Sequence, residues 1–288
     1  MEVILLKVVS WNISYMGDIY DKLIILKALI SESKDSHPII FALQEVTPKA
    51  YEVIVAENIF DNDAYSLNFR EPGKFEGANR GLGCLIFVAG GLEIIDSSLI
   101  ERMPFPERAL SVKIKMNRDI FEVMCFHSLT GVGYKRAKSA QFASLADYLH
   151  LKRNDPLILC GDLNEPRIDH YDLDKLEFFD QQGDKGEKAS YILRPEGVHN
   201  LQDSYRVMIS QNKDEWAKIK DEQAQCENIE SKPLAVSHIL PRGIKKRYDY
   251  IMVSPHWEVI EAEYRYDDGI QYGSDHAIVV SDLKMNDR

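Results

Sequence analysis

The segment LILCGDLNEP, residues 157–166, sets an apolar run directly against an aspartate, an asparagine and a glutamate. Leu157, Ile158, Leu159 and Cys160 suit a strand covered on both faces, and Gly161 lets the backbone bend or approach a neighbour closely. In an extended chain Asp162 and Asn164, two residues apart, project to the same side. Two readings are open at this point. Asp, Asn and Pro are the residues of an ordinary turn, whereas a buried strand that delivers polar groups to a site should have counterparts elsewhere in the chain.

Counterparts exist. VVSWN ends in Asn12, IIFALQE in Glu45 and FEVMCFH in His127, GSDH carries Asp275 and His276, and RYDYIMV places Asp249 at the start of another apolar run. Strand-like runs cover 3–10, 38–44, 82–89, 109–116, 120–127, 156–160, 248–254, 257–265 and 277–283, with NRD at 117–119 as a hairpin turn. Helical patterns cover 18–31, with Asp18 as a cap, 48–57 after Thr47 and Pro48, and 135–151. Strands and helices interleave, but several strands follow one another directly, which predicts an α/β fold with mixed sheets rather than a barrel of regular β-α units. There is no internal repeat, low-complexity tract or Gly/Ser linker. The expectation is one domain over 1–288, with the polar stretch 180–235 as a peripheral elaboration of loops and a surface helix.

The chain has 288 residues, 45% hydrophobic and 28% charged, which excludes a disordered or fibrous protein. Its formal net charge of -11 means that a nucleic acid cannot be held by overall charge and needs a local basic patch. Cys84, Cys125, Cys160 and Cys226 are far apart and form no C-x-x-C pair, fitting buried thiols better than a zinc knuckle or a disulfide framework. The first residues, MEVILLKVVSWN, resemble a first strand more than a signal peptide, and no apolar run approaches the ~20 residues that cross a bilayer. The expectation is a soluble cytoplasmic protein with no membrane span.

The residue types at these strand ends suit one chemistry. A phosphodiester is shielded by its own negative charge, so its hydrolysis needs a cation at the phosphoryl and leaving oxygens and a group that orients or deprotonates water. Mg²⁺ takes oxygen ligands and keeps several waters, so one or two carboxylates and an amide suffice. A histidine beside a carboxylate stays positioned and charged, placing a donor where negative charge builds up.

The motifs SWNI, LQEV, FHSLTG, GDLNEP, RYDYI and GSDH, in this order between residues 10 and 276, resemble the endonuclease/exonuclease/phosphatase (DNase I-like) superfamily. The resemblance implies a four-layer α-β-β-α sandwich of two packed mixed β-sheets, with the site at one edge. It further implies Glu45 as principal ligand of Mg²⁺, with Mn²⁺ as the alternative ion, Asn12 close to metal and phosphate, and Asp275 as a further metal-shell carboxylate. Asp162 orients or activates the attacking water on this reading, and Asn164 holds Asp162 and a phosphoryl oxygen. His276 donates to the phosphate, Asp249 orients His276, and His127 contacts the phosphate or helps the leaving group.

Each residue also has a plainer reading. His127 alone is a hydrogen-bonded residue at a sheet end, Asp249 an acid paired with Arg247 or a backbone amide, and Glu45 a carboxylate at the head of the helix that Thr47 caps. For the substrate, Tyr134, Lys135, Arg136 and Lys138 lie just after FHSLTG, Arg108 stands at a strand entrance, and Arg242, Lys245, Lys246 and Arg247 precede Asp249. Such clusters on an acidic chain suit a locally bound polyanion, or else are solvated charge. The leading expectation is an Mg²⁺-dependent phosphodiesterase acting on DNA or RNA. The alternatives are a hydrolase of small phosphorylated molecules, such as inositol phosphates, nucleotide derivatives or lipid head groups, and a catalytically silent binding protein.

Overall fold

Along the first strand, Leu5–Asn12, Leu6 and Val8 face one way and Val9 and Trp11 the other, and all four are buried. A strand covered on both faces has to lie inside a layered structure. The computed structural model describes residues 5–34, 37–70, 81–100, 102–134, 136–194, 197–226 and 228–286. In chain order the strands are β1 (Leu5–Asn12), β2 (Ile39–Val46), β3 (Asn62–Tyr65), β4 (Gly83–Ala89), β5 (Glu93–Leu99), β6 (Ala109–Met116) and β7 (Asp119–His127). They continue with β8 (Leu157–Asp162), β9 (Gln202–Asp203), β10 (His238–Leu240), β11 (Ile244–Lys246), β12 (Asp249–Val253), β13 (Trp257–Arg265) and β14 (Ile278–Met285).

One six-stranded sheet has the order β13-β14-β1-β2-β4-β3 and the other the order β5-β6-β7-β8-β12-β9, while β10 and β11 form a separate two-stranded ladder. Both large sheets are mixed: β1 pairs with β2, and β7 with β8, in parallel, between antiparallel neighbours. Val8, Ile40 and Ile86 of the first sheet pack against Val112, Val123, Ile158 and Ile251 of the second in one central core. On the outer face of the first sheet, Trp11, Phe41 and Phe87 meet Leu23, Leu26 and Leu29 of the helix Ile19–Lys34. On the outer face of the second, Phe126, Leu159 and Met252 meet Phe142, Leu145 and Leu149 of the helix Arg136–Leu151. The result is the four-layer α-β-β-α sandwich that the motifs imply.

Local signals explain most of the boundaries. Asp18 accepts from the amide of Tyr20, Thr47 caps the helix Pro48–Ala56 through the amide of Ala50, and the hairpin between β6 and β7 turns at Asn117, whose φ is +57°. The short strands β9, β10 and β11 go beyond the sequence expectation, and so do β3 and β5. Both are sheet edges, and β5 leaves most of its side chains solvated, so it lacks the apolar run that marks an inner strand. The stretch 180–235 also differs from a purely solvated elaboration. It contains the helices Ser204–Gln211 and Lys213–Ala224, and Asp203 is buried in ion pairs with Arg247 and Arg206.

Candidate active site

Strand direction decides what gathers at one edge of the sandwich. Asp162 ends β8. Its register partner on the parallel side is His127, the last residue of β7, and on the antiparallel side Asp249, the first residue of β12. In the other sheet Asn12 ends β1 opposite Gln44, one residue before Glu45, and His276 lies two residues before the start of β14, which runs antiparallel to β1. Parallel strands that finish and antiparallel strands that begin at one edge bring residues from across the sequence together. Gly161 allows the close approach this needs, because a Cβ there would lie 2.0 Å from the carbonyl oxygen of Phe126.

Asp162 is buried and accepts three hydrogen bonds: from Nδ2 of Asn12 at 3.0 Å, from the amide of Asn164 at 2.9 Å and from Nδ2 of Asn164 at 3.2 Å. Burial, and then the nearby Asp249 carboxylate, push its pKa up to about 7, against the pull of His276 and of these donors. Asn164 reaches both donor positions from a left-handed backbone conformation, φ +48°. Asn12 is committed at both ends of its amide, since its Oδ1 accepts from the amide of Ser14 at 2.9 Å.

His276 donates from Nδ1 to Oδ2 of Asp249 at 2.9 Å, and its Nε2 lies 3.9 Å from Oδ2 of Asp162. Burial disfavours the imidazolium, but the carboxylates of Asp249 and Asp162 outweigh it and raise the pKa to about 10. The ring is therefore charged at neutral pH. Its backbone is clamped as well: the His276 amide donates to Oγ of Ser274 at 3.0 Å, that hydroxyl donates to the carbonyl of Asn12 at 2.6 Å, and the Trp11 indole donates to the His276 carbonyl at 3.3 Å.

His127 has the opposite charge state. Burial, and then the cations of Arg108 and His276, hold its pKa well below the usual histidine value. Nη1 of Arg108 lies 2.9 Å from Nδ1 of His127. The same Nη1 lies 3.3 Å from Nε2, and because a guanidinium can only donate, the neutral ring accepts from Arg108 through one nitrogen and carries its proton on the other. Nε2 faces Oε1 of Glu45 at 3.6 Å and Oδ2 of Asp162 at 3.7 Å.

Glu45 has φ +59°, a conformation costly for a residue with a side chain and typical of functional positions. Its Oε2 accepts from the amide of Tyr15 at 3.1 Å. Lys22, buried beneath the same loop, donates to the carbonyls of Ser14 and Met16 at 2.6 Å each. Burial lowers its pKa, while Glu45 and Asp275 are the largest influences that favour its charge. The Asp275 side chain is 55% exposed, with Oδ2 4.0 Å from Nδ1 of His238.

Two groups of side chains are close enough to share a cation: Asp162, Asp249 and His276, and His238, Asp275 and His276. In the first, Oδ1 of Asp249 is buried without a hydrogen-bond partner among the described residues. The carboxylates of this edge, Glu45, Asp162, Asp249 and Asp275, are hard oxygen donors of the kind Mg²⁺ and Mn²⁺ prefer. A divalent ion fits this donor set better than a thiolate-seeking metal would, since Cys84, Cys125 and Cys160 are buried on the strands.

The expected substrate-binding residues divide differently. Arg108 is buried against His127. Tyr134 packs edge-on against Phe105 at 5.1 Å, Arg136 is exposed, and Lys135 lies outside the described residues. Three cations of the anticipated basic clusters are not presented to solvent. Lys138 is buried on Glu165 at 2.7 Å, Lys246 on Glu230 at 2.9 Å, and Arg247 on Asp169 and Asp203 at 2.7 and 2.6 Å. Each has a carboxylate that the fold, not the local sequence, places beside it. Arg242 and Lys245 remain exposed. The site also contains groups that the motifs do not mark. His238 stacks on His276, centroids 4.4 Å apart and 28° from parallel, and Lys22 and Ser274 support the loops. The signal for His238 was a histidine inside the apolar run VSHIL within an otherwise polar stretch.

A profile described as the Endonuclease/Exonuclease/phosphatase family matches residues 9–276, and the chain belongs to this family. It is thus a phosphoester hydrolase of a family that typically uses a divalent metal, with a buried group of side chains suited to one. No curated protein sequence matches the chain. Among solved structures, the human Nocturnin catalytic domain with bound sulfate is similar at 19% identity and TM-score 0.58, over 98% of this chain and 95% of that one. An AP endonuclease from Archaeoglobus fulgidus is similar at 18% identity and TM-score 0.61, over 96% and 98%. D. rerio TDP2 complexed with single-strand DNA product is similar at 14% identity and TM-score 0.59, over 97% and 98%. At these identities the likeness concerns the fold. Among the described residues, no helix is long and apolar enough to cross a membrane.

Proposed function

We propose that the chain is a divalent-metal-dependent phosphodiesterase that acts on nucleic acid. The observation that carries this reading is the gathering of Asn12, Glu45, His127, Asp162, Asn164, Asp249 and His276 at one edge of the sandwich. Glu45, with Asp275, would hold Mg²⁺ or Mn²⁺, and such an ion supplies charge neutralisation at the phosphoryl oxygens. Asp162 takes or orients the proton of the attacking water. Its pKa near neutrality suits a base, and Asn12 and Asn164 fix its two oxygens. His276, kept charged and oriented by Asp249, presents Nε2–H to a phosphoryl oxygen, and the His127 ring stands beside the same Asp162 oxygen as a second polar contact.

Nucleic acid is favoured by what rims the site. Tyr15, Met16 and Tyr20 are 59%, 60% and 59% exposed on the loop and helix start that follow β1, and the amide of Tyr15 bonds Glu45 itself. Exposed aromatic faces beside a phosphate site are how single strands are bound without sequence preference. Arg136, Arg242 and Lys245 supply exposed cations. A second reading, small phosphorylated molecules, is favoured by the burial of Lys138, Lys246 and Arg247, which removes much of the anticipated basic groove.

The test is Mg²⁺-dependent release of products from single-stranded and duplex DNA, RNA, abasic and 5′-tyrosyl DNA, inositol phosphates and sphingomyelin, with Glu45→Gln as the blank. Polynucleotide cleavage that weakens with salt and vanishes in the blank supports the proposal. Turnover confined to small phosphates replaces it with the second reading, and silence across the panel overturns both.

A further inference from the structure

Beside Asn164 and His238 opens a cleft of about 530 Å³ that the chemistry above does not use. One wall is a run of rings that starts at His276. His238 stacks on it at 4.4 Å, Tyr248 lies 6.0 Å beyond His238 at 25° from parallel, and Phe179 meets Tyr248 at 6.5 Å. Leu240, on the same short ladder as His238, continues this wall, and Thr130 stands in the lining from the loop after β7. The volume suits a group of nucleoside size.

Two further observations narrow what fits. Gln181 lines the cleft, and although the residue is only 6% exposed its side-chain amide borders the open space. It lies directly against Gly131, where a Cβ would come within 2.4 Å of its Nε2, so the space for this amide exists only because residue 131 is glycine. A side-chain amide at that position offers one acceptor and two donors. The cations complete the argument. Among the lining residues Lys138 is the one cation, and it is held by Glu165 and by the Asn164 carbonyl, both at 2.7 Å, while the acid Asp180 also lines the cleft. Among the described lining residues, a phosphate-rich head group has no free lysine or arginine to meet.

We propose that this cleft is a subsite for a nucleobase attached next to the scissile phosphate, with the His238 and Tyr248 rings against its face and Gln181 at its hydrogen-bonding edge. The assignment rests on the reading that phosphate reacts between Asp162 and His276. It restricts the substrate class to base-bearing phosphoesters and makes His238 a specificity residue adjoining the catalytic histidine.

The test uses hydrolysis-resistant probes, so that it does not depend on turnover. The 5′-phosphonate isostere of AMP, the same ribose phosphonate with hydrogen in place of the base, and inositol 1-phosphonate are titrated calorimetrically into the Mg²⁺-loaded protein. The expected result is a base-bearing probe bound on the order of tenfold or more tightly than either other probe. That preference should disappear in Leu240→Glu. Because Leu240 is half-buried, Thr130→Trp, which fills the cleft from an exposed position, is the second variant and should remove the preference as well. Equal affinity for the three probes, absence of binding by all of them, or a preference that survives Thr130→Trp overturns the proposal. A base preference in a protein that hydrolyses no phosphoester would sink the hydrolytic reading while leaving the subsite standing. Hydrolysis without a base preference would do the reverse.

Discussion

Nδ1 of His276 and Oδ2 of Asp249 lie 2.9 Å apart, a buried contact between the first residue of β12 in one sheet and the segment that leads into β14 of the other. If the carboxylate acts through the ring, the pair behaves as one unit. Asp249→Asn should then lower kcat/KM by about 10²-fold or more, and the double variant Asp249→Asn, His276→Ala should be no worse than His276→Ala alone. Multiplying losses in steady-state kinetics would show that the two residues act separately.

Glu45 is the second test. Mg²⁺ should raise the melting temperature of the native protein, because an ion bound only by the folded state stabilises it, by about 2.7 kcal/mol at a hundredfold excess over Kd. Glu45→Gln should abolish that rise together with turnover, and chelation of the native protein should do the same. A variant that keeps the Mg²⁺-dependent shift would place the ion elsewhere.

Stability should depend on a buried charge cluster that borders the site, two residues before Asp249. Arg247 meets Asp169 through Nε and Nη2 at 2.7 and 3.1 Å and Asp203 through Nη1 at 2.6 Å, and all three residues are buried. Arg247→Met leaves Asp169 and Asp203 with Arg206 as their remaining cation, at 2.8 and 3.5 Å, and should cost roughly 3 kcal/mol in urea unfolding at neutral pH. An unchanged unfolding midpoint would mean that water reaches the pair.

A pH dependence follows from His199. Its Nδ1 accepts from the amide of Leu201 and its Nε2 donates to the carbonyl of Ile192, both at 3.0 Å, so a second proton has no place without breaking the first bond. Burial lowers its pKa from 6.5 to about 4. The unfolded chain therefore binds the proton first as pH falls. The stabilisation is complete above 6.5 and is lost as pH drops from there to about 4, by roughly 2–3 kcal/mol. Urea titrations across this window should show the slope, and His199→Gln should lack it.

What the sequence made legible is what its local chemistry encodes. GDLN announces a polar strand end because Gly161 and Asp162 are unlike the apolar run before them, and the close approach of Phe126 explains the glycine. Inner strands such as β2 and β8 are legible because both faces are apolar, whereas β5, an exposed edge, is not. The basic clusters misled for a physical reason. The partner of Lys246 is Glu230 and that of Arg247 is Asp169, 16 and 78 residues away, and a sequence does not show which of its charges will be brought together and buried. His238 escaped notice likewise, since its meaning lies in a bridge to His276 that only tertiary pairing creates.

The Asn12 to Asp162 hydrogen bond crosses from one sheet to the other. Half of the machinery thus rides on each slab of the sandwich, and the apolar filling between Val8, Ile40, Val123 and Ile158 sets the spacing of the two halves. Any slippage of the slabs, by heat or by an oversized side chain in that filling, would misalign the chemistry before either sheet lost a strand. Inactivation should therefore run ahead of the loss of β-sheet circular dichroism on warming, and the interior packing serves as the gauge that keeps the reacting groups in step.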